Sequence, residues 1–226
     1  MIDSCLKTAS NPERIEFILY IDDDEKISVI DNKSANINVL SGPRIWLSGV
    51  HNACASVASG EIFMWAADDI SFVTYGWDVE IISQFEKWND GLGLIFPNDL
   101  STYKGKLATH AFVKREWFRA FGSLVPPYLP DAYTDNWITY LATTIGRIMH
   151  LEKIIVEHLQ YRQGKSKYDE TYKTRARNTQ IRNHKATFRR LYRERSTEII
   201  VVCFKYNLKI PFNLIDSFWV DFYKIK

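Results

Sequence analysis

The sequence predicts an α/β protein: a mixed, mostly parallel sheet flanked by helices, with a helical and aromatic C-terminal extension. Two observations predict it. Short runs of β-forming residues alternate with stretches of helical spacing, the pattern of strand–helix–strand units. Several of those runs end in acidic or imidazole side chains, and ligands of parallel α/β sheets gather at the carboxyl ends of the strands. A chain of 226 residues suits one large α/β domain, or one domain plus an appendage. With 46% hydrophobic residues and seven Trp it can bury a sizeable core.

Each element follows in order. Ile15 to Ile21 reads as a strand buried on both faces, running into Asp22-Asp23-Asp24-Glu25. Ile37 to Leu40 is a second short strand, stopped by Ser41-Gly42-Pro43. Gly49 to Ser59 is rich in Ala and reads as a helix closed by Gly60; its small side chains let it lie close to a sheet. Glu61 to Ala67 is a further buried strand, leading straight into Asp68-Asp69. Trp77 to Trp88 has helical spacing at Val79, Ile82 and Phe85. Leu94-Ile95-Phe96 is a strand ahead of Pro97, and Thr109 to Val113 is another. Arg115 to Phe121 is a short helix ended by Gly122, and Val125 to Pro130 is an irregular Pro-rich loop. Asp131 to Gly146 reads as a helix capped by Thr134 or Asp131, with Trp137, Ile138, Leu141, Ala142 and Ile145 on its apolar face. Ile154-Ile155-Val156 is a strand leading to Glu157-His158.

Charge is unevenly spread. Residues 1–164 hold 14 basic against 21 acidic side chains, whereas residues 165–195 hold 11 against 3. The predicted organisation is a body over 1–164 and an extension over 165–226. The basic segment reads as a solvated helix face packed on the acidic body; its alternatives are a nucleic-acid backbone or an anionic membrane surface as partner. The aromatics of 199–223 pack on the core or form an oligomer contact. No apolar run is long enough to span a bilayer, and Met1-Ile2-Asp3-Ser4 lacks the basic and apolar regions of a signal peptide. Cys5, Cys54 and Cys203 are odd in number and lack metal-type spacing. Together these predict a cytoplasmic protein with free thiols.

Asp68-Asp69 carries the most chemistry. Adjacent acids repel, and a cation relieves the repulsion. Mg²⁺ or Mn²⁺ needs only one or two protein carboxylates and neutralises a departing diphosphate. The plain alternative is that the pair caps the following turn.

The order Gly42-Pro43-Arg44, Asn52, Ala58-Ser59-Gly60-Glu61-Ile62, Ala67-Asp68-Asp69-Ile70 and Gly76-Trp77-Asp78 resembles the metal-binding half of a GT-A glycosyltransferase of the family 2 type. The resemblance spans roughly residues 12–172. It implies a GT-A-like (Rossmann-like) fold and an inverting, metal-dependent transfer of sugar from a nucleoside-diphosphate sugar to a hydroxyl of a glycan or other acceptor. Carried over, Asp69 binds Mn²⁺ or Mg²⁺, and Asp68 lies at the donor ribose and diphosphate. Asp22 or Asp24 contacts the base. Asn52 lies beside the donor pocket; its plainer role is a helix-start cap. Asp135, or second to it Asp131, is the general base at a helix start. His158 is a further metal or diphosphate ligand, and Lys165 or Lys167 meets phosphate. His110, near the start of the Thr109–Val113 strand, has no comparable support. The family's first strand has no counterpart before Ile15. Two other readings are a nucleic-acid-binding or DNA-modifying protein using 165–195, and a catalytically degenerate GT-A scaffold that serves as an interaction module.

Overall fold

The computed structural model describes residues 1–24, 35–129, 131–161, 164–166, 173 and 184–211. In chain order these form α1 (Ile2–Thr8), a 3₁₀ turn (Pro12–Arg14), β1 (Glu16–Asp22), β2 (Asn36–Gly42), α2 (Trp46–Val57), β3 (Ile62–Met64), β4 (Ile70–Phe72) and α3 (Trp77–Phe85). Then come β5 (Leu94–Asn98), β6 (Phe112–Lys114), α4 (Arg115–Phe121), α5 (Thr134–Thr144), β7 (Ile148–His158), α6 (His184–Arg190) and α7 (Tyr192–Lys205).

The protein is mixed α/β, but the sheet is not mostly parallel. β1 and β2 pair in parallel, from Glu16 opposite Asn36 to Asp22 opposite Gly42. The larger sheet has five strands in the order β3-β6-β5-β7-β4. Only β5 and β7 are parallel there; β3–β6, β5–β6 and β4–β7 are antiparallel. The reason lies in the connections. Residues 99–111 form turns rather than a crossover helix, so the chain reverses from β5 into β6. β7 has eleven residues, so its start pairs with β5 while Val156 to His158 pair with β4.

Side chains alternate across the five-stranded sheet. Phe63, Leu94, Phe96 and Val113 face one core, and Ile62, Met64, Ile95 and Phe112 face the other. The first core is covered by α2, α4, α5 and α7, through Ala55, Trp117, Trp137, Leu141 and Ile199 among others. The second is covered by α1 and α3, through Cys5, Trp77, Ile81 and Phe85. Helices thus cover both faces of the sheet. α7 lies beyond residue 164 and buries Ile199, Ile200, Val202 and Cys203 in the first core.

The predicted face of α5 is the buried one: Trp137, Ile138, Leu141, Ala142 and Ile145 are all buried. Its N-cap is Tyr133, in the left-handed region at φ 69°, rather than Thr134 or Asp131. The predicted face of α3 holds only at Phe85. Val79 and Ile82 are exposed, and the buried stripe is Trp77, Ile81 and Phe85 at spacing four. Both stripes have helical period, and only the position of the sheet selects between them. β1 buries Phe17 alone and leaves the rest half-buried, because among the described residues it pairs only with β2. β5 runs through Pro97, and β4 was not anticipated. Phe212 to Tyr223 lie outside the described residues, so the predicted packing of those aromatics does too. Among the described residues no helix is long and apolar enough to cross a membrane.

Candidate metal and donor site

The topology gathers five side chains at one edge of the five-stranded sheet. β5 and β7 run parallel, so Asp99 and His158 emerge at the same edge. β6 opposes β5, so its approach, with His110, starts there. β3 opposes β6 and ends there, and β4, paired Ile70 with His158, begins there; Asp68 and Asp69 lie between the two. Turn residues can cluster in this way because the strands that hold them are rigid and paired.

Backbone and side-chain bonds lock the edge. The His158 N–H donates to the Asp99 carbonyl at 3.0 Å, and the Leu159 N–H to the Asp69 carbonyl at 2.7 Å. The Trp65 indole N–H donates to the Thr109 carbonyl at 3.1 Å, tying the end of β3 to the residue before His110. The Thr109 hydroxyl donates to Asp99 Oδ2 at 2.6 Å, and the Ser101 N–H to Asp99 Oδ1 at 2.9 Å. Asp99 is therefore a buried strut that holds the 109–110 segment against β5.

Within this frame His158 Nε2 lies 3.3 Å from Asp69 Oδ1. The Gln160 side-chain nitrogen lies 2.8 Å from His158 Nδ1. In the tautomer that accepts from Gln160 at Nδ1, the Nε2–H faces Asp69. Asp69 is half-buried and Asp68 exposed. His110 stands edge-on to His158 with ring centroids 4.5 Å apart. It is 5% exposed, and neither of its ring nitrogens has a hydrogen-bond partner. Burial, and then His158, pushes its pKa down to about 4, against the opposing pull of Asp99 and Asp69. Burial pushes His51, on α2, down to about 4 as well. Both imidazoles are therefore neutral near pH 7. Among the described residues no group of three or more His, Cys, Asp or Glu is placed so that it could hold a metal ion.

The other predicted residues fall around this edge or away from it. Lys165 Nζ pairs with Glu157 Oε1 at 2.9 Å, one residue before His158. Lys167 lies outside the described residues. Asp22 and Asp24, at the end of β1, both face Arg44, at 2.7 Å and 3.5 Å. Asn52 sits inside α2, not at its start. Its amide accepts from Leu124 N and Val125 N and donates to the Val125 carbonyl. Asp131 is buried ahead of α5. Asp135 lies in the first turn of α5, where Oδ1 accepts the Asn136 N–H at 2.8 Å. Four residues on, Thr139 Oγ1 accepts the Ala108 N–H at 3.1 Å. Residues four apart share a helix face, so Asp135 lies on the side of α5 that meets the 108–110 segment.

Sequence reasoning missed Asp99 and set His110 aside. Asp99 carries the signal used for Asp68-Asp69, an acid at a strand end. His110 precedes a strand, and only the antiparallel return of β6 brings it to this edge. Comparison of the chain with protein-family models and with curated proteins returns no match.

Proposed function

We propose that the chain is a metal-dependent glycosyltransferase of GT-A-like fold. It moves a sugar from a nucleoside-diphosphate sugar to an acceptor hydroxyl, with inversion. The observation that carries this reading is the meeting of Asp69 and His158 at the strand-end edge, 3.3 Å apart, with Asp68 exposed beside them. A carboxylate and an imidazole are ligand types suited to a divalent cation, and the buried, unpartnered His110 ring lies beside them. Such a cation, Mn²⁺ or Mg²⁺, supplies charge neutralisation for a departing diphosphate.

The chain's own groups carry the rest. Asp135, on the side of α5 that meets the site segment, takes the proton of the acceptor hydroxyl. The acceptor oxygen then bonds to the anomeric carbon, and the bond from that carbon to the donor phosphate breaks, its electron pair leaving with the diphosphate. Asp68 bonds the donor ribose. Lys165, anchored by Glu157, faces the phosphates, and Asp22 or Asp24 exchanges Arg44 for the base. The test is a thermal-shift screen of UDP, GDP, CDP and ADP with and without Mn²⁺. One nucleotide with Mn²⁺ is expected to raise Tm, and Asp69→Ala to abolish the rise. No shift with any of the four would overturn the reading.

A further inference from the structure

We propose that the outward face of α7 docks on an anionic membrane surface, with Val201 and Phe204 entering the headgroup layer and the surrounding basic side chains meeting the lipid anions. α7 has two faces. Its inner face, with Ile199, Ile200, Val202 and Cys203, is buried in the first core. Its outer face carries Arg193, Glu194, Thr197, Val201, Phe204 and Lys205, all exposed. Val201 is 56% and Phe204 74% exposed. They are three residues apart and so share one side of the helix. Tyr128, 42% exposed, borders that side, since its hydroxyl donates to Glu198, three residues before Val201. A single exposed apolar side chain is ordinary, whereas a group rimmed by polar and charged residues marks an interaction surface.

Charge selects the partner. From residue 186 to residue 211 the exposed charged side chains are Arg189, Arg190, Arg193, Lys205 and Lys209, against Glu194 alone. These charges are not spent on the acidic body. α7 meets that body through apolar side chains, and Arg195 is buried among aromatic rings. Among the described residues Arg189, Arg190 and Lys209 take part in no ion pair. Lys205 is fixed at the apolar end of the face, where its Nζ donates to the Arg119 carbonyl at 3.1 Å. A nucleic-acid backbone would also take the arginines, but it offers nothing to Val201 and Phe204. A bilayer interface takes both kinds of side chain, aliphatic and aromatic groups at the acyl boundary and basic groups at the anionic headgroups. Each basic side chain held near such a surface is worth about fivefold in partitioning.

Vesicle sedimentation of the full chain tests this. The chain is expected to sediment with vesicles of equal parts phosphatidylcholine and phosphatidylserine, to stay in the supernatant with phosphatidylcholine alone, and to be released as salt rises. Phe204→Ser is expected to weaken binding at least about tenfold, with Val201→Ser as the second variant at the same face. Arg189→Gln combined with Arg190→Gln is expected to weaken it by roughly the product of two charges, about 25-fold. None of these residues belongs to the strand-end cluster, so the result does not depend on the transferase reading. No sedimentation with the anionic vesicles, or binding unchanged by both Phe204→Ser and Val201→Ser, overturns the proposal. Salt-sensitive binding to duplex DNA without vesicle binding would assign the arginines to nucleic acid and overturn it too. A dimer that is lost in Phe204→Ser, with no vesicle binding, would assign the face to a second copy of the chain, with the same consequence.

Discussion

Replacing Asn52 with Ala is expected to unfasten α2 from the segment that carries Leu124 and Val125. The Asn52 carbonyl oxygen accepts from Leu124 N at 2.9 Å and Val125 N at 3.2 Å, and its NH₂ donates to the Val125 carbonyl at 2.9 Å. Both partners are buried, Leu124 3% and Val125 2% exposed. A hydrogen bond contributes about 0.5–1.5 kcal/mol net, and a buried backbone group left unpaired costs about 1–3 kcal/mol. Three bonds at a half-buried side chain set the expected loss at about 2–4 kcal/mol. Urea denaturation followed by tryptophan fluorescence reads this, since Trp117 and Trp137 are buried in the same core. Asn52→Asp keeps an acceptor for the two N–H groups and loses only the donor, so it is expected to cost about half as much. A loss below about 0.5 kcal/mol for Asn52→Ala would refute the reasoning. The same variants bear on the donor pocket: if Asn52 is only a strut, folded Asn52→Asp still responds to a nucleoside diphosphate with Mn²⁺.

Three further perturbations follow from the packing. The Arg195 guanidinium lies 3.9 Å from the Phe188 ring centroid and 4.6 Å from that of Trp137, and the residue is 3% exposed; Arg195→Lys gives up the flat stacked cation and is expected to cost about 1–3 kcal/mol by denaturation, an unchanged midpoint being the contrary result. Burial of Asp78 raises its pKa, but the Ser10 N–H, the Asn11 N–H and the Asn11 side chain more than offset this, so the carboxyl sits below its usual range. Its stabilisation is present above the unfolded value of about 3.9 and is lost as pH falls through the lower folded value; wild type should therefore exceed Asp78→Asn by about 1–3 kcal/mol at pH 7, with the gap closing below about pH 4, and a pH-independent gap would contradict it. A Cβ on Gly93 would lie 2.0 Å from the Trp88 ring, so Gly93→Ala is expected to cost at least about 1–3 kcal/mol, whereas an unchanged Tm would mean that Trp88 swings aside.

The candidate site was legible in part. An acid or imidazole at the end of a β-forming run is a local pattern, and it pointed to Asp22, Asp68-Asp69 and His158. Two of these, Asp69 and His158, meet at 3.3 Å. Asp22 stands instead at the end of the separate two-stranded sheet, paired with Arg44. Asn52 misled because its amide is a cap by type, while its partners lie more than seventy residues along the chain.

Periodicity alone determined that α5 exists and which of its sides is buried, since Trp137, Ile138, Leu141, Ala142 and Ile145 leave one apolar stripe. It determined that Ile15 to Ile21, Leu94 to Phe96 and Ile154 to Val156 are strands, because β propensity and short apolar runs are local properties. Strand direction and neighbour were decided only by the tertiary structure. A strand carries the same side chains whichever way its partner runs, so the antiparallel β6 and β4 left no mark in the pattern. The choice of stripe on α3 and the arrival of Asp99 and His110 beside Asp69 and His158 depend on that pairing. They are long-range consequences of how the chain turns back, and only the assembled sheet brings them about.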